Sequence, residues 1–444
     1  MTRELAIEVT HRYDGVEIDD QTFKQLLDAV AWRRTPRFIA RGRASREELA
    51  TPAFARKRPE QALRFAKVKG VGVYDPAKFG KHRDKILGEF SDEPRQPTDL
   101  RLGWSSTYPH IGFNQQGEYT IAYGKPAPVG GILHDRAWLE YRNAELLLEH
   151  DIPSIVPLAV IRYTDKQFEG QPTGAVITLS PNRLSWRLSE VLYLASCRPG
   201  HDAEGDSFYR AVLESLGVAG DPNAETVRLE AVNILSRKIG KVMRDFAVAG
   251  LYRHSSEWSN YEYDFDAKEP VFTDLDSTLL LSELPRAMQT LQVLRDFATV
   301  AYRLVAKFAT PTNLGAYTLD NILHYDPMLE VLIGYFPELP RADLNQVSKK
   351  LWNAFIPHFF LLQRHRDAIV ANEWSAERRR SYKMSHDLFY VLTVTLLFPL
   401  FERTALGQQY GSSVDLPGLM ARAERYLQDR YQYFTYLLRA PVGS

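Results

Sequence analysis

The chain has 444 residues, 45% hydrophobic and 25% charged, which is enough to bury two or three cores and unlike disordered or fibrous proteins. Lys plus Arg and Asp plus Glu stand at 55 each, so no global charge favours DNA or an anionic membrane. Cys197 is the single cysteine, which excludes an intrachain disulfide framework.

The opening MTRELAIEVTHRYDG lacks the apolar core of a signal peptide, so a cytoplasmic address is expected. Residues 17 to 32 predict a short helix, and the stretch to about residue 60 is Arg-rich and weakly patterned, an N-terminal extension. Its basic run of Arg33, Arg34, Arg37, Arg41 and Arg43, with Trp32 and Phe38 between, reads as a solvated face. From Leu63 the sequence alternates and then breaks at Gly70 and Gly72, as a strand does on entering a tight turn. Residues 75 to 100 are charged and contain Pro94 and Pro97, part of an exposed insertion placed at about 75–115. Gly117 to Lys125 has the β-branched and aromatic content of a second strand, and GKPAPVGG then forces a loop.

Asp135 to Glu149 predicts a helix with Trp138, Tyr141, Ala144, Leu147 and Leu148 on one side. PLAVIRYTD and GAVITLS supply two more strands. From about residue 185 nearly everything reads as helix, including 226–249, 287–309 and 415–438. Leu388 to Phe401 is the most apolar stretch, too short to span a bilayer and better read as a buried helix. One exception interrupts the helices: Tyr261 to Asp276 predicts two short strands around Asp266-Ala267-Lys268-Glu269-Pro270. The expected organisation is an extension (1–60), a β-rich lobe with one helix (61–165), and a helical lobe (166–444) carrying a hairpin at 260–276.

Chemistry concentrates at a few of these positions. Lys69 sits at a strand end before Gly70-Val71-Gly72, where backbone can approach a phosphate closely, and Lys125 sits similarly after YTIAYG. Glu140 faces the sheet if the 135–149 helix packs by its apolar side, and a Lys–Glu pair would hold the ammonium without using all its donors. Asn260 begins one hairpin strand and Asp274 ends the other, so their oxygens can converge on one hard cation, with Asp276 as outer support. The scattered histidines form no HExxH or Cys–His spacing, and no GxSxG, Walker or GxGxxG motif occurs.

This order of loop, Asn, hairpin and Asp resembles the protein-kinase-like superfamily, and is similar to its selenoprotein-O-like branch of atypical kinases. That branch shows a KGxG lysine, a helix of the form REFLxSEAM ending in GIP, and GFxHGVxNTDN before a metal Asp. Lys69-Gly70-Val71-Gly72 matches the first element; Glu140-Tyr141-Arg142-Asn143-Ala144-Glu145 running into Asp151-Ile152-Pro153 matches the second; Gly250 to Asn260 matches the third in length and at its ends. The resemblance implies an α+β bilobal kinase-like fold with a small β-rich N-lobe and a large, mostly helical C-lobe. It implies ATP and Mg²⁺ as cofactors, and AMP or phosphoryl transfer to a protein or small-molecule hydroxyl; the balanced charge and the short apolar run make neither DNA nor a membrane an expected partner. Lys69 or Lys125 would hold phosphates beside Gly70 and Gly72, Glu140 would pair with that lysine, and Asn260 and Asp274 would bind metal.

The catalytic loop departs from the pattern. Ser259 stands where the branch has its base, Ser255 where ordinary protein kinases have theirs, and Arg253 replaces the motif His. Glu257 and His254 are the candidate bases in this loop, with Arg253 beside them. Three readings stay open: a transferase, a pseudokinase that binds nucleotide as a switch, and a helical interaction protein without a nucleotide site.

Overall fold

The computed structural model describes residues 4–34, 44–71, 109–113, 119–123, 131–168, 170–182, 184, 186–192, 203–253, 257–309, 316–364, 376–411 and 414–440. The protein is α+β, with an antiparallel sheet in its N-terminal part and helices through its C-terminal part. Proximity along the backbone divides it into two compact units. One comprises Met1–His110, Ala122–Arg187 and Asn260–Thr278; the other comprises Ile111–Ile121, Leu188–Ser259 and Leu279–Ser444.

The sheet unit is built on β1 (Ile7–Arg12), β2 (Val16–Glu17), β3 (Ala44–Ala55), β4 (Arg58–Lys69), β7 (Ile132–Leu133), β8 (Val156–Phe168) and β9 (Gln171–Ser180). Its order is β1-β8-β9-β4-β3-β2, with β7 also pairing β9, and the pairs are antiparallel. Helix α1 (Asp20–Val30) covers one face, burying Phe23, Leu26 and Val30 in a core with Ala66, Val68, Ile161 and Ile177. Helix α2 (His134–Glu149) covers the other, where Ala137 and Tyr141 meet Val160 and Val176. Cross-strand partners share a face. Lys69 lies opposite Val176, and Val176 opposite Val160, so the register alone turns Lys69 toward α2.

Two expectations meet a different structure, and a third gains its partner. The extension to residue 60 contributes β1, β2 and β3, and the boundary drawn there falls inside β4. The alternation of β3 was hidden because, apart from Leu49, its buried positions are filled by small or charged residues, among them Ala44, Ala53, Ala55 and Glu47, the last ion-paired with Arg34 at 2.8 Å. The strand read at Gly117–Lys125 is present as β6 (Tyr119–Tyr123), which pairs with β5 (Pro109–Phe113) in a separate two-stranded sheet. The helix read over 415–438 is two helices, Leu416–Leu427 and Arg430–Arg439, divided at Gln428, whose φ of 51° ends the first.

The expected hairpin forms from Tyr261–Asp264 and Glu269–Phe272 and belongs to the sheet unit. Phe272 exchanges backbone hydrogen bonds with Pro153 and Ile155, and Gln61 on β4 donates to Asp264 at 2.8 Å. Of the basic run, Arg33 pairs with Glu4 and Asp28 and Arg34 with Glu47, while Arg37, Arg41 and Arg43 lie outside the described residues.

In the helical unit, Leu388, Phe389, Leu392, Leu397 and Phe401 are buried within the helix Ala376–Phe401, as their apolar run predicts. Among the described residues, no helix is long and apolar enough to cross a membrane.

Candidate functional site

Four charged side chains meet at the C-terminal end of β4. Lys69 Nζ lies 2.5 Å from Glu140 Oε2, 2.5 Å from Asp274 Oδ1 and 3.6 Å from Asp276 Oδ1. Glu140 reaches this point because it sits in the middle of the buried stripe of α2, between Ala137, Tyr141, Ala144 and Leu147, at helical spacing. It is fully buried, and an unpaired carboxylate there would be costly. Lys69 supplies the counter-charge from the strand face that the register turns toward it.

The hairpin delivers the two aspartates. Asn260 precedes its first strand and accepts through its carbonyl from Thr273 N–H at 3.0 Å, which closes the hairpin next to Asp274. Asp274 follows with φ +60° and ψ +57°, a left-handed backbone that an L-residue rarely adopts and that functional sites often retain. Asn143, one helical turn beyond Glu140, donates to the carbonyls of Leu275 (2.8 Å) and Thr278 (3.1 Å) and fixes the turn that carries Asp276. The Lys69 ammonium holds the Asp274 carboxyl well below the usual carboxylate range. The Asp274 side chain is 45% exposed, so solvent shares in stabilising its charge and leaves it open to a ligand.

The strand ends in a bend that only glycine fits. Gly70 has φ +105°, and a Cβ there would stand 2.4 Å from the Gly174 carbonyl oxygen of β9. Gly72, Lys125 and His254 lie outside the described residues, as does Ser255. Of the two candidate lysines, Lys69 is thus the one described here, and it is joined to Glu140.

Arg253 and Glu257 belong to the helical unit. Arg253 is 1% exposed; its N–H donates to Asp296 at 2.6 Å and its carbonyl accepts from Arg295 at 2.7 Å, a role in the packing of that unit. Glu257 is half-buried.

Sequence reasoning missed a second basic position. Lys67 lies two residues before Lys69, hence on the same face of β4, and donates to Thr273 Oγ1 at 2.8 Å. Burial, with Arg187 nearby, lowers its pKa to about 8. A small open cleft runs beside it, lined by Arg46, Phe65, Lys67, Asn182, Arg187 and Glu262 among others. The Arg46 guanidinium stacks on the Phe65 ring at 3.2 Å from its centroid. Burial pushes Glu262 up, but Arg187, Lys67 and the Ser180 hydroxyl outweigh it and hold this carboxyl low. Arg46, Lys67 and Arg187 bring three basic side chains to the cleft, and Arg187 lies 3.8 Å from the Glu262 carboxylate. The signal that would have found it is the Lys-x-Lys alternation in AKVKG, which puts two ammonium groups on one strand face.

The donor set suits a hard divalent cation. Glu140, Asp274 and Asp276 each offer an oxygen within 4.8 Å of the others, and carboxylate oxygens are the ligands magnesium takes. Among the described residues, Glu140 Oε1 is buried without a hydrogen-bond partner, a vacant acceptor in that same cluster. Asp276, read from the sequence as outer support, stands within the cluster itself.

No family model matches this chain, and no curated protein matches it in sequence.

Proposed function

We propose that the sheet unit holds a magnesium–nucleotide site and that the protein is an ATP-dependent transferase of protein-kinase-like, bilobal type, moving AMP or phosphate to a protein or small-molecule hydroxyl in the cytoplasm. The observation that carries this reading is the joining of Lys69 to a helix carboxylate, Glu140, and to a strand-end carboxylate, Asp274, from three separate parts of the sequence. Transfer from ATP needs a cation on the phosphates, an acid to hold that cation, and oxygen ligands for magnesium. Lys69, Glu140 and Asp274 with Asp276 and Asn260 supply these in order. The neighbouring cleft of Arg46, Lys67 and Arg187 extends positive charge for a polyphosphate. Magnesium would neutralise phosphate charge there, and the chain's own residues would position and orient the nucleotide.

Wild-type protein with ATP and Mg²⁺ should melt at a higher temperature, by an amount set by mass action, about 2.7 kcal/mol at a hundredfold excess over Kd. An unchanged melting temperature at millimolar Mg-ATP would remove the nucleotide reading. ATP labelled at the α or γ position then separates AMP transfer from phosphoryl transfer.

A second reading, nucleotide binding without turnover, is favoured by one set of observations. Ser255 and Ser259 occupy both base positions, and the main chain of Arg253 is engaged by Asp296 and Arg295. A thermal shift with no label transferred from either ATP would decide for it.

A further inference from the structure

The Lys69 ammonium stands among the carboxylates to which a divalent cation would bind. It touches Asp274 Oδ1 at 2.5 Å and approaches Asp276 Oδ1 to 3.6 Å, and it also contacts the buried Glu140 at 2.5 Å. Magnesium takes oxygens at roughly 2 Å, so a cation on Asp274 Oδ1 and this ammonium would face each other across a single atom. Two positive charges so placed repel strongly where solvent is thin, and Lys69 is only 7% exposed.

We infer that Lys69 is a tethered competitor of the metal: ammonium and divalent cation exclude each other at Asp274, so free cation binds poorly until an anion draws Lys69 aside. The inference rests on the metal–nucleotide reading of this site and adds its regulation. Glu140 keeps hold of Lys69 in both arrangements, because a fully buried carboxylate cannot be left without a counter-charge. The partner that is exchanged is therefore Asp274, whose side chain is 45% exposed. An anion of phosphate type near Lys69 would take the place of Asp274 as its second partner and release that carboxylate to the metal. By linkage, metal and anion then strengthen each other's binding by the same factor. The device suits a protein that must ignore free divalent cation and respond to cation and polyphosphate together.

The test counts bound Mn²⁺ by electron paramagnetic resonance, with no nucleotide present, in wild type, Lys69→Arg, Lys69→Gln, Lys69→Met and Lys67→Gln, all of which keep the three carboxylates of the cluster. Lys69→Gln keeps a donor for Glu140 without the charge, and Lys69→Met is a second uncharged variant. Lys67→Gln removes one positive charge from the same strand face at a side chain that donates to Thr273, so it reports the long-range field without the contact to Asp274. We expect wild type, Lys69→Arg and Lys67→Gln to bind Mn²⁺ at least tenfold more weakly than Lys69→Gln and Lys69→Met. Equal affinity in wild type and the uncharged Lys69 variants, or an equal gain in Lys67→Gln, overturns the exclusion while leaving the metal site standing. No binding in any of the five overturns both. The melting temperature of wild type with Mg-ATP reports the nucleotide site independently of either outcome.

Discussion

Asn143 Nδ2 donates to the Leu275 carbonyl at 2.8 Å, which ties helix α2 to a turn 132 residues later in the chain. The same amide reaches the Thr278 carbonyl at 3.1 Å, and Arg136 at the start of the helix donates to the Asp276 carbonyl at 3.1 Å. One helix therefore sets both halves of the site: Glu140 for the lysine, and the turn on which Asp274 and Asp276 stand. A shift of α2 would move all three carboxylates together.

Replacing Asn143 by Leu should separate this positioning from the charges themselves. Two buried carbonyls lose their donor, which costs roughly 1–3 kcal/mol in urea unfolding. Lys69, Glu140 and Asp274 are all retained, so any melting-temperature rise given by Mg-ATP in wild type should shrink. A variant as stable as wild type would show that the turn holds its shape without the clamp.

The Lys69–Glu140 pair makes a second prediction, on stability alone. Lys69→Met leaves a fully buried carboxylate without its ammonium, a loss of about 3–5 kcal/mol for a broken buried pair. Glu140→Met removes the helix partner but leaves Lys69 on Asp274, so its cost should be the smaller one. The double variant should cost much less than the two single changes added together. Urea titrations of the three variants measure this coupling, and strictly additive costs would mean that the two groups do not stabilise each other in solution.

How far all this could be read beforehand depends on what each signal was made of. Helix α2 was legible because Tyr141, Ala144, Leu147 and Leu148 recur at helical spacing, and Glu140 could be placed by the same geometry. The hairpin was legible from Tyr261 to Phe272 through its turn residues and its aromatic and branched strands. Strand β3 was not, since its core positions are mostly alanines and a salt-bridged Glu47, which carry little hydrophobic contrast. Lys67 was passed over for a different reason. The Lys-x-Lys alternation in AKVKG puts it on the face of Lys69, but its burial is set by Thr273 and Glu262 some two hundred residues away. The left-handed turn at Asp274, which brings Asp276 into one cluster with it, has no glycine to mark it in the sequence.

Asp296 in the helical unit gives a pH dependence of defined sign. Burial raises its pKa to about 6, and Arg295 and the Arg253 N–H compensate only in part. The folded state then binds more protons than the unfolded state between the unfolded value, near 4, and about 6. Its contribution to stability should fall as pH rises through that window and level off above it, a change on the order of 2–3 kcal/mol for a shift of this size. Asp274 acts oppositely: its lowered pKa adds stability that is lost only as pH falls below the ordinary carboxylate range. Melting curves of wild type and Asp296→Asn between pH 4 and pH 7 isolate the group. The wild type should lose ground to the variant as pH rises, and parallel curves would place the Asp296 pKa outside the window.

The helices Glu225–Val248 and Pro327–Tyr335 cross at two glycines, Gly240 and Gly334, and this contact yields the last prediction. A Cβ on Gly240 would stand 2.3 Å from the Val331 carbonyl oxygen, and one on Gly334 would stand 2.0 Å from that of Arg237. Both obstacles are backbone atoms within helices, which cannot swing aside as a side chain does. Alanine in mid-helix is ordinarily worth about 1 kcal/mol over glycine, so an unobstructed site would gain from the change. Here separating the two helices should outweigh that gain, since overpacking a close contact costs roughly 1–3 kcal/mol and sometimes more. Gly240→Ala and Gly334→Ala should each lower the midpoint of urea unfolding, and the pair together should cost less than their sum, because one separation of the helices relieves both clashes. A raised midpoint in either single variant would show that the helices have slack at the crossing.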